Sequence, residues 1–277
     1  MRENLRRPGF LPLYAFTLVL WLIVMSPFAV VVLGAFLQTT FLGLSTEQWA
    51  RGGDGESLFS VKWFGYVWGL YRGTLLFSVK LALLSVLLCL LIGVPGGMVL
   101  ARRQFPGRDL LESIVLLPLS LPGIALSIGI LQAFAIVRGE WWLILAGHLL
   151  YTLPFMVRMV MDALRSFDVA ALETAARSLG AGYWQRLRWV VLPNLRHAMV
   201  AASLLVFCVS WGEFNISFLL NTPLNQTFPA ALYATYTTNS FQVSSAATVI
   251  FLGVVVPALM AIQWLGGGRG VKLEQGV

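Results

Sequence analysis

Charge is scarce in this sequence. Only 11% of its 277 residues are charged, 58% are hydrophobic, and the mean hydropathy is +0.81. A soluble domain carries about 25% charged residues, so this chain cannot cover a globule of its size with polar surface. The same scarcity, together with 13% aromatic residues, excludes intrinsic disorder, because disordered chains are polar and poor in aromatics. Cysteine is nearly absent. Cys89 and Cys208 both lie inside apolar runs, which suggests buried thiols and neither a disulfide framework nor a cysteine metal site. Histidine is limited to His148 and His197, so metal catalysis is not expected. No H-E-x-x-H, G-x-S-x-G or paired-Asp motif is present, which argues against an intramembrane hydrolase. No G-x-x-x-x-G-K-[ST] phosphate loop occurs either, so the chain is not expected to hydrolyse ATP.

What is present is a series of long apolar runs. A spanning helix needs about 20 apolar residues. Six runs qualify: Leu11–Leu37, Thr74–Ala101, Leu110–Val137, Trp141–Met161, Ala198–Leu220 and Ser245–Leu265. The second contains Lys80 and the fifth Glu213, while the third is interrupted by Pro118 and Pro122. The fold class is therefore all-α integral membrane. The net charge of +7 would suggest nucleic acid in a soluble protein. Here the basic residues sit between spans and set topology instead.

Fourteen of them fall on one side: Arg2, Arg6, Arg7, Arg102, Arg103, Arg108, Arg158, Arg165, Arg177, Arg186, Arg188, Arg196, Arg269 and Lys272. Four fall on the other: Arg51, Lys62, Arg72 and Arg138. By the positive-inside rule both termini and the loop between the fourth and fifth spans are cytoplasmic. Lys80 lies near the outer end of its span, where its stem can snorkel. The outer loop 38–72 holds Gly52, Gly53 and Gly55, then an aromatic stretch, Trp63–Trp68, read as a short interfacial segment.

The cytoplasmic loop 162–197 reads as two short helices. Asp168 is a candidate N-cap for a helix over Val169–Leu179, which Gly180 stops and Gly182 loosens. A second helix over Tyr183–Val191 is expected to end before Pro193. Arg177, Arg186 and Arg188 supply donors for a partner's carboxylates or for an anionic leaflet.

Thr174-Ala175-Ala176, three residues, Gly180, nine residues, then Val190-Val191-Leu192-Pro193 resembles the Glu-Ala-Ala loop of type I ABC importer permeases. Both long spacings match. The motif Glu is Thr174 here, with Glu173 just before it. The likeness extends over about residues 70–265 of a single permease domain, 1–277. It implies a multi-pass protein of the bacterial cytoplasmic membrane that forms half of a solute pathway, beside a second permease subunit. Two cytoplasmic ATPases, which bind ATP and Mg, would take the coupling loop through Glu173, Thr174, Ala175, Ala176, Gly180, Leu192 and Pro193. An extracytoplasmic binding protein would deliver the solute. No nucleic acid is involved, and no cofactor is expected on this chain. Trp211–Phe218 resembles the polyamine-type permeases most, with those for thiamine, ferric iron and aminoethylphosphonate related.

Within the membrane, Glu213 stands out. A carboxylate there costs a few kcal/mol and should face protein or water. Helical spacing puts it on one face with Ser203, Ser210 and Ser217. With Trp211, the residues Ser210, Glu213 and Ser217 are the candidate solute path. The alternative is a structural pair of Glu213 with Lys80 or a hydroxyl. Ser113, Ser120 and Ser127 suggest helix packing, Pro118 and Pro122 a kink, and His148, Tyr151 and Thr152 a hydrogen-bonded patch. A secondary transporter working alone would carry more intramembrane ionisable groups and a visible repeat.

Overall fold

The structure, a computed structural model, describes residues 11–37, 59–166 and 169–267. The expectations on Arg2, Arg6, Arg7, Arg51, Gly52, Gly53, Gly55, Asp168, Arg269 and Lys272 lie outside those residues. Among the described residues the regular elements are helical, with no β-strand and one isolated bridge, Leu37 to Phe59. That follows from the composition, because in lipid a helix alone satisfies its own backbone.

In chain order the helices are α1, Leu11–Phe36; α2, Lys62–Arg102; α3, Arg108–Leu116; α4, Gly123–Ala133; α5, Trp141–Ser166; and α6, Val169–Ser178. They continue with α7, Tyr183–Gly212; α8, Asn215–Leu220; α9, Phe228–Thr238; and α10, Phe241–Gly267. Five of these are long and apolar enough to cross a membrane, and the bent pair α3–α4, turned through 108°, is a broken span or a re-entrant loop. Five of the six expected spans are helices of spanning length, and the third is the bent pair, interrupted where Pro118 and Pro122 stand.

Three expectations are corrected. The aromatic stretch Trp63–Trp68 is no separate interfacial segment but the first turns of α2, a run of 41 residues. Pro193 does not stop the second loop helix, since Tyr183–Gly212 is one continuous helix. The fifth span does not run to Leu220 as one helix either; α7 ends at Gly212 and α8 starts at Asn215.

Why Pro193 is tolerated can be read from the turn before it. Leu187–Val191 is a π-turn, and the wider turn removes the clash between the proline ring and the carbonyl four residues back. Asn194 Nδ2 donates to the Val190 carbonyl at 2.6 Å. Pro95 repeats the device, directly after the π-turn Cys89–Gly93.

The chain divides into two compact units. One comprises residues up to Arg72 with Leu232–Gly253. In it Trp63 Nε1 donates to the Leu37 carbonyl at 2.9 Å, and Phe36 and Phe64 lie 5.1 Å apart. Gly34 lies where a Cβ would be 2.4 Å from the Phe241 ring.

The other unit comprises Gly73–Ala231 with the residues from Val254 onward. Its core packs Cys89 and Val94 of α2, Met156 and Val160 of α5, and Leu195 and Val206 of α7. Close approach of α2 and α5 depends on Gly93 and Gly97, four residues apart on one face. A Cβ on Gly93 would lie 2.8 Å from Met156 Cγ, and one on Gly97 2.9 Å from the Val157 carbonyl. This is the small-residue contact by which membrane helices associate without a hydrophobic driving force.

Candidate functional site

Two places in the second unit hold the residues singled out by sequence. The first is the break in the fifth span. α7 ends at Gly212 because Glu213 adopts an extended backbone, φ −69° and ψ 115°. The four N–H groups of a new helix then need acceptors, as every helix start does. Glu213 supplies acceptors for two of them: its Oε1 and Oε2 accept from the Ile216 N–H at 3.0 and 2.9 Å, and Oε2 accepts from the Ser217 N–H at 3.0 Å. The negative charge also suits the positive end of α8.

Glu213 is buried, with Ser210, Trp211 and Ser217 beside it. The pairing with Lys80 is not made. Lys80 is exposed and lines an outer cavity of about 390 Å³ with Glu140 and Asn225. What approaches Glu213 instead is His148 of α5, whose Nε2 stands 3.8 Å from Oε2. The ring is otherwise bonded on both sides: Nδ1 to Ser210 Oγ at 2.8 Å and Nε2 to Ser217 Oγ at 2.9 Å. Ser210 Oγ donates to Ser85 Oγ of α2 at 3.3 Å, and Thr152 Oγ1 donates to the His148 carbonyl at 2.7 Å. So the hydrogen-bonded patch expected around His148 forms, through Thr152. Tyr151 packs in the apolar cluster instead.

The two interrupted spans meet. Gly123, the first residue of α4, faces Asn215, the first of α8, with 2.8 Å from its Cβ position to Asn215 Nδ2. Gly147 of α5 faces Ile216 in the same way at 2.5 Å. No Cβ fits at either position without movement. Of the serine series in the third span, Ser127 is buried and donates to the Gly123 carbonyl at 2.6 Å, while Ser113 and Ser120 are exposed. Ser203 is half-buried and outside the His148 cluster.

The second place is the loop between α5 and α7. Glu173, Thr174, Ala175 and Ala176 lie on α6. Gly180 has φ +84°, which only Gly adopts readily. Its N–H bonds the Arg177 carbonyl at 2.9 Å, and the Ala181 N–H bonds the Ala176 carbonyl at 3.0 Å. This pair of bonds is a Schellman turn. Gly182 N–H then donates to Gln185 Oε1 at 2.7 Å, so α7 starts on a defined cap. Leu192 and Pro193 lie inside α7, past the π-turn. Glu173 pairs with Arg102 at the end of α2. Sequence reading gave Arg102 only a topological role. Beside that pair, Val94, Met98, Tyr183 and Leu187 line a cavity of about 1150 Å³. A second ion-pair cluster joins Arg108 and Glu112 of α3 to Arg165 of α5 at 3.5 and 3.4 Å.

Residues 93–267 match the family described as binding-protein-dependent transport system inner membrane component. The chain belongs to that family. It is an ABC importer permease subunit and a multi-pass membrane protein. Among its relatives, the molybdenum transport system permease protein ModB of Escherichia coli (strain K12) is 32% identical over 210 residues, covering 69% of this chain and 91% of that protein. The spermidine/putrescine transport system permease protein PotC of the same strain is 28% identical, covering 71% and 79%. The putative 2-aminoethylphosphonate transport system permease protein PhnV of Salmonella choleraesuis (strain SC-B67) is also 28% identical, covering 69% and 75%. In fold, the chain is similar to a bacterial ABC transporter involved in the import of the polysaccharide alginate. There the TM-score is 0.65 at 16% identity, covering 96% of this chain and 98% of that one. The MetNI methionine ABC transporter gives 0.61 at 20% identity, covering 73% and 97%.

Proposed function

We propose that this permease subunit forms half of a solute pathway in the bacterial cytoplasmic membrane, and that it takes its energy through the α6–Gly180–α7 loop. One observation carries the coupling role. Leu179, Trp184 and Trp189 are 88%, 75% and 73% exposed around the Schellman turn. Bulky apolar side chains held out on a fixed turn call for a partner surface. Arg177 and Arg188 beside them suit acidic groups on that partner. The partner is a cytoplasmic ATPase, two per importer, on which ATP and Mg bind. A second permease chain, different from this one, completes the pathway, and an extracytoplasmic binding protein delivers the solute.

For the solute we keep a polyamine or similar organic cation, which the resemblance of Trp211–Phe218 and the spermidine/putrescine relative support. The relatives for molybdenum and 2-aminoethylphosphonate support small polar solutes of other charge. Glu213 adds little to the choice, since its carboxylate is bonded by its own chain. Ser210, Trp211 and Ser217 stand with it at the break as the segment of this subunit closest to the path.

The test is co-expression with the ATPase, second permease and binding protein encoded alongside. The expected result is recovery of one complex, with ATP-driven uptake of spermidine in vesicles. Uptake of molybdate or 2-aminoethylphosphonate instead would reassign the solute. A chain purified without ATPase that carries solute on an ion gradient would overturn the reading.

A further inference from the structure

We propose that His148 is the positioning residue of the broken fifth span, and that it makes the break a locked bend instead of a hinge. The ring reaches across the break. Ser210, bonded to Nδ1, lies before Glu213–Phe214; Ser217, bonded to Nε2, lies after it. His148, Ser210 and Ser217 are all buried. One rigid side chain on α5 therefore holds the end of α7 and the start of α8 together, and Ser85 fastens the same cluster to α2.

Proton bookkeeping fixes the direction of each bond. A hydroxyl has one proton to donate. Ser210 donates its proton to Ser85, so it must accept from His148, and Nδ1 carries the ring proton. In the neutral ring Nε2 is then an acceptor, and the Ser217 hydroxyl donates to it. Each side chain in the chain Ser217–His148–Ser210–Ser85 thus has a partner within the cluster. The backbone at the break is relaxed: Glu213 has φ −69° and ψ 115°, Phe214 φ −103° and ψ −44°. The break is thus held by these side-chain bonds together with the Glu213 cap, and not by strain. The consequence for transport rests on the permease reading: α7 and α8 move as one body during the cycle.

The chain has two histidines, so ¹⁵N-histidine labelling of the purified complex gives two ring signals, and His197→Gln assigns them. The expected His148 spectrum is a neutral ring protonated at Nδ1. Ser217→Ala should shift its Nε2 resonance, and Ser210→Ala its Nδ1 resonance. A ring protonated at Nε2, or one insensitive to both substitutions, overturns the bridge.

Spin labels at Val200 and Phe218, both exposed, with Cys89 and Cys208 replaced, read the bend itself. The distance should be narrow and equal in nucleotide-free and ATP–vanadate states, and should broaden in His148→Ala. If that variant fails to assemble, Ser217→Ala, which loses one bond of the bridge, serves in its place. A wild-type distance that changes with nucleotide, or an unbroadened variant, overturns the locked bend. Failure of the ATPase to co-purify counts against the permease reading alone, because the histidine spectrum of the isolated subunit still reads the bridge.

Discussion

Both carboxylate oxygens of Glu213 lie within 3.0 Å of the Ile216 backbone nitrogen, three residues ahead in the chain. A buried carboxylate and a buried helix start are each costly alone. Here each satisfies the other, and the span can be interrupted at membrane depth.

Substitutions at Glu213 should separate charge from capping. Glu213→Gln keeps an acceptor oxygen for α8, so assembly should persist. Glu213→Ala leaves the Ile216 and Ser217 N–H groups without their acceptor, at about 1–3 kcal/mol for each unsatisfied group. Thermal melting of the detergent-purified complex checks this. Equal melting of the Ala and Gln variants would remove the capping role.

At Gly180 the constraint is conformational and not steric. A Cβ there meets nothing within 4 Å, but φ is +84°. Gly180→Asn should retain ATPase recovery, because Asn tolerates the left-handed region. Gly180→Val should lose it, at a cost of roughly 1–2 kcal/mol from backbone strain. Recovery of the ATPase on an affinity-tagged permease is the measurement, and equal recovery for Asn and Val would refute the turn's role.

Gly96 and Gly97 are neighbours with opposite surroundings. Gly97 faces the α5 backbone, while nothing lies within 4 Å of a Cβ at Gly96. Gly97→Leu should therefore cost about 1–3 kcal/mol or more by overpacking and lower the yield of folded protein. Gly96→Leu should leave it unchanged. Size-exclusion profiles of the two variants decide the matter.

Arg102 and Glu173 join the cytoplasmic end of α2 to α6. Arg102→Glu and Glu173→Arg, each alone, should reduce ATPase recovery, and the double exchange should restore it. Additive loss in the double variant would mean that the pair does not position the loop.

Orientation can be read with cysteine labels in a background lacking Cys89 and Cys208. A label at Leu224, 98% exposed, should react with an impermeant reagent on intact cells, and a label at Ser178 or Leu179 should not. Asn225 is a poorer reporter because it is buried and its Oδ1 accepts from Thr222 N–H at 2.7 Å. Outside labelling of Leu179 would invert the topology.

The apolar runs, the basic residues between them and the spacing from Thr174 to Pro193 were enough to determine a multi-pass permease with an exposed helical loop between its fourth and fifth apolar runs. Those signals are local: a span needs its own twenty apolar residues, and a Schellman turn needs its own glycine. Gly93 and Gly97 were not singled out in the sequence, and only the packing of α5 against them shows their use. What the sequence could not decide was where the fifth span breaks. Period 3.6 placed Ser210, Glu213 and Ser217 on one continuous face, and the local Glu213 cap on Ile216 can act only once that helix is broken. The tertiary structure decided it, because His148, more than sixty residues earlier in the chain, bonds both sides of the break. The pairing of Glu173 with Arg102 and the start of α2 at Lys62 were hidden for the same reason. Each depends on partners that are distant in sequence and brought together only by the fold.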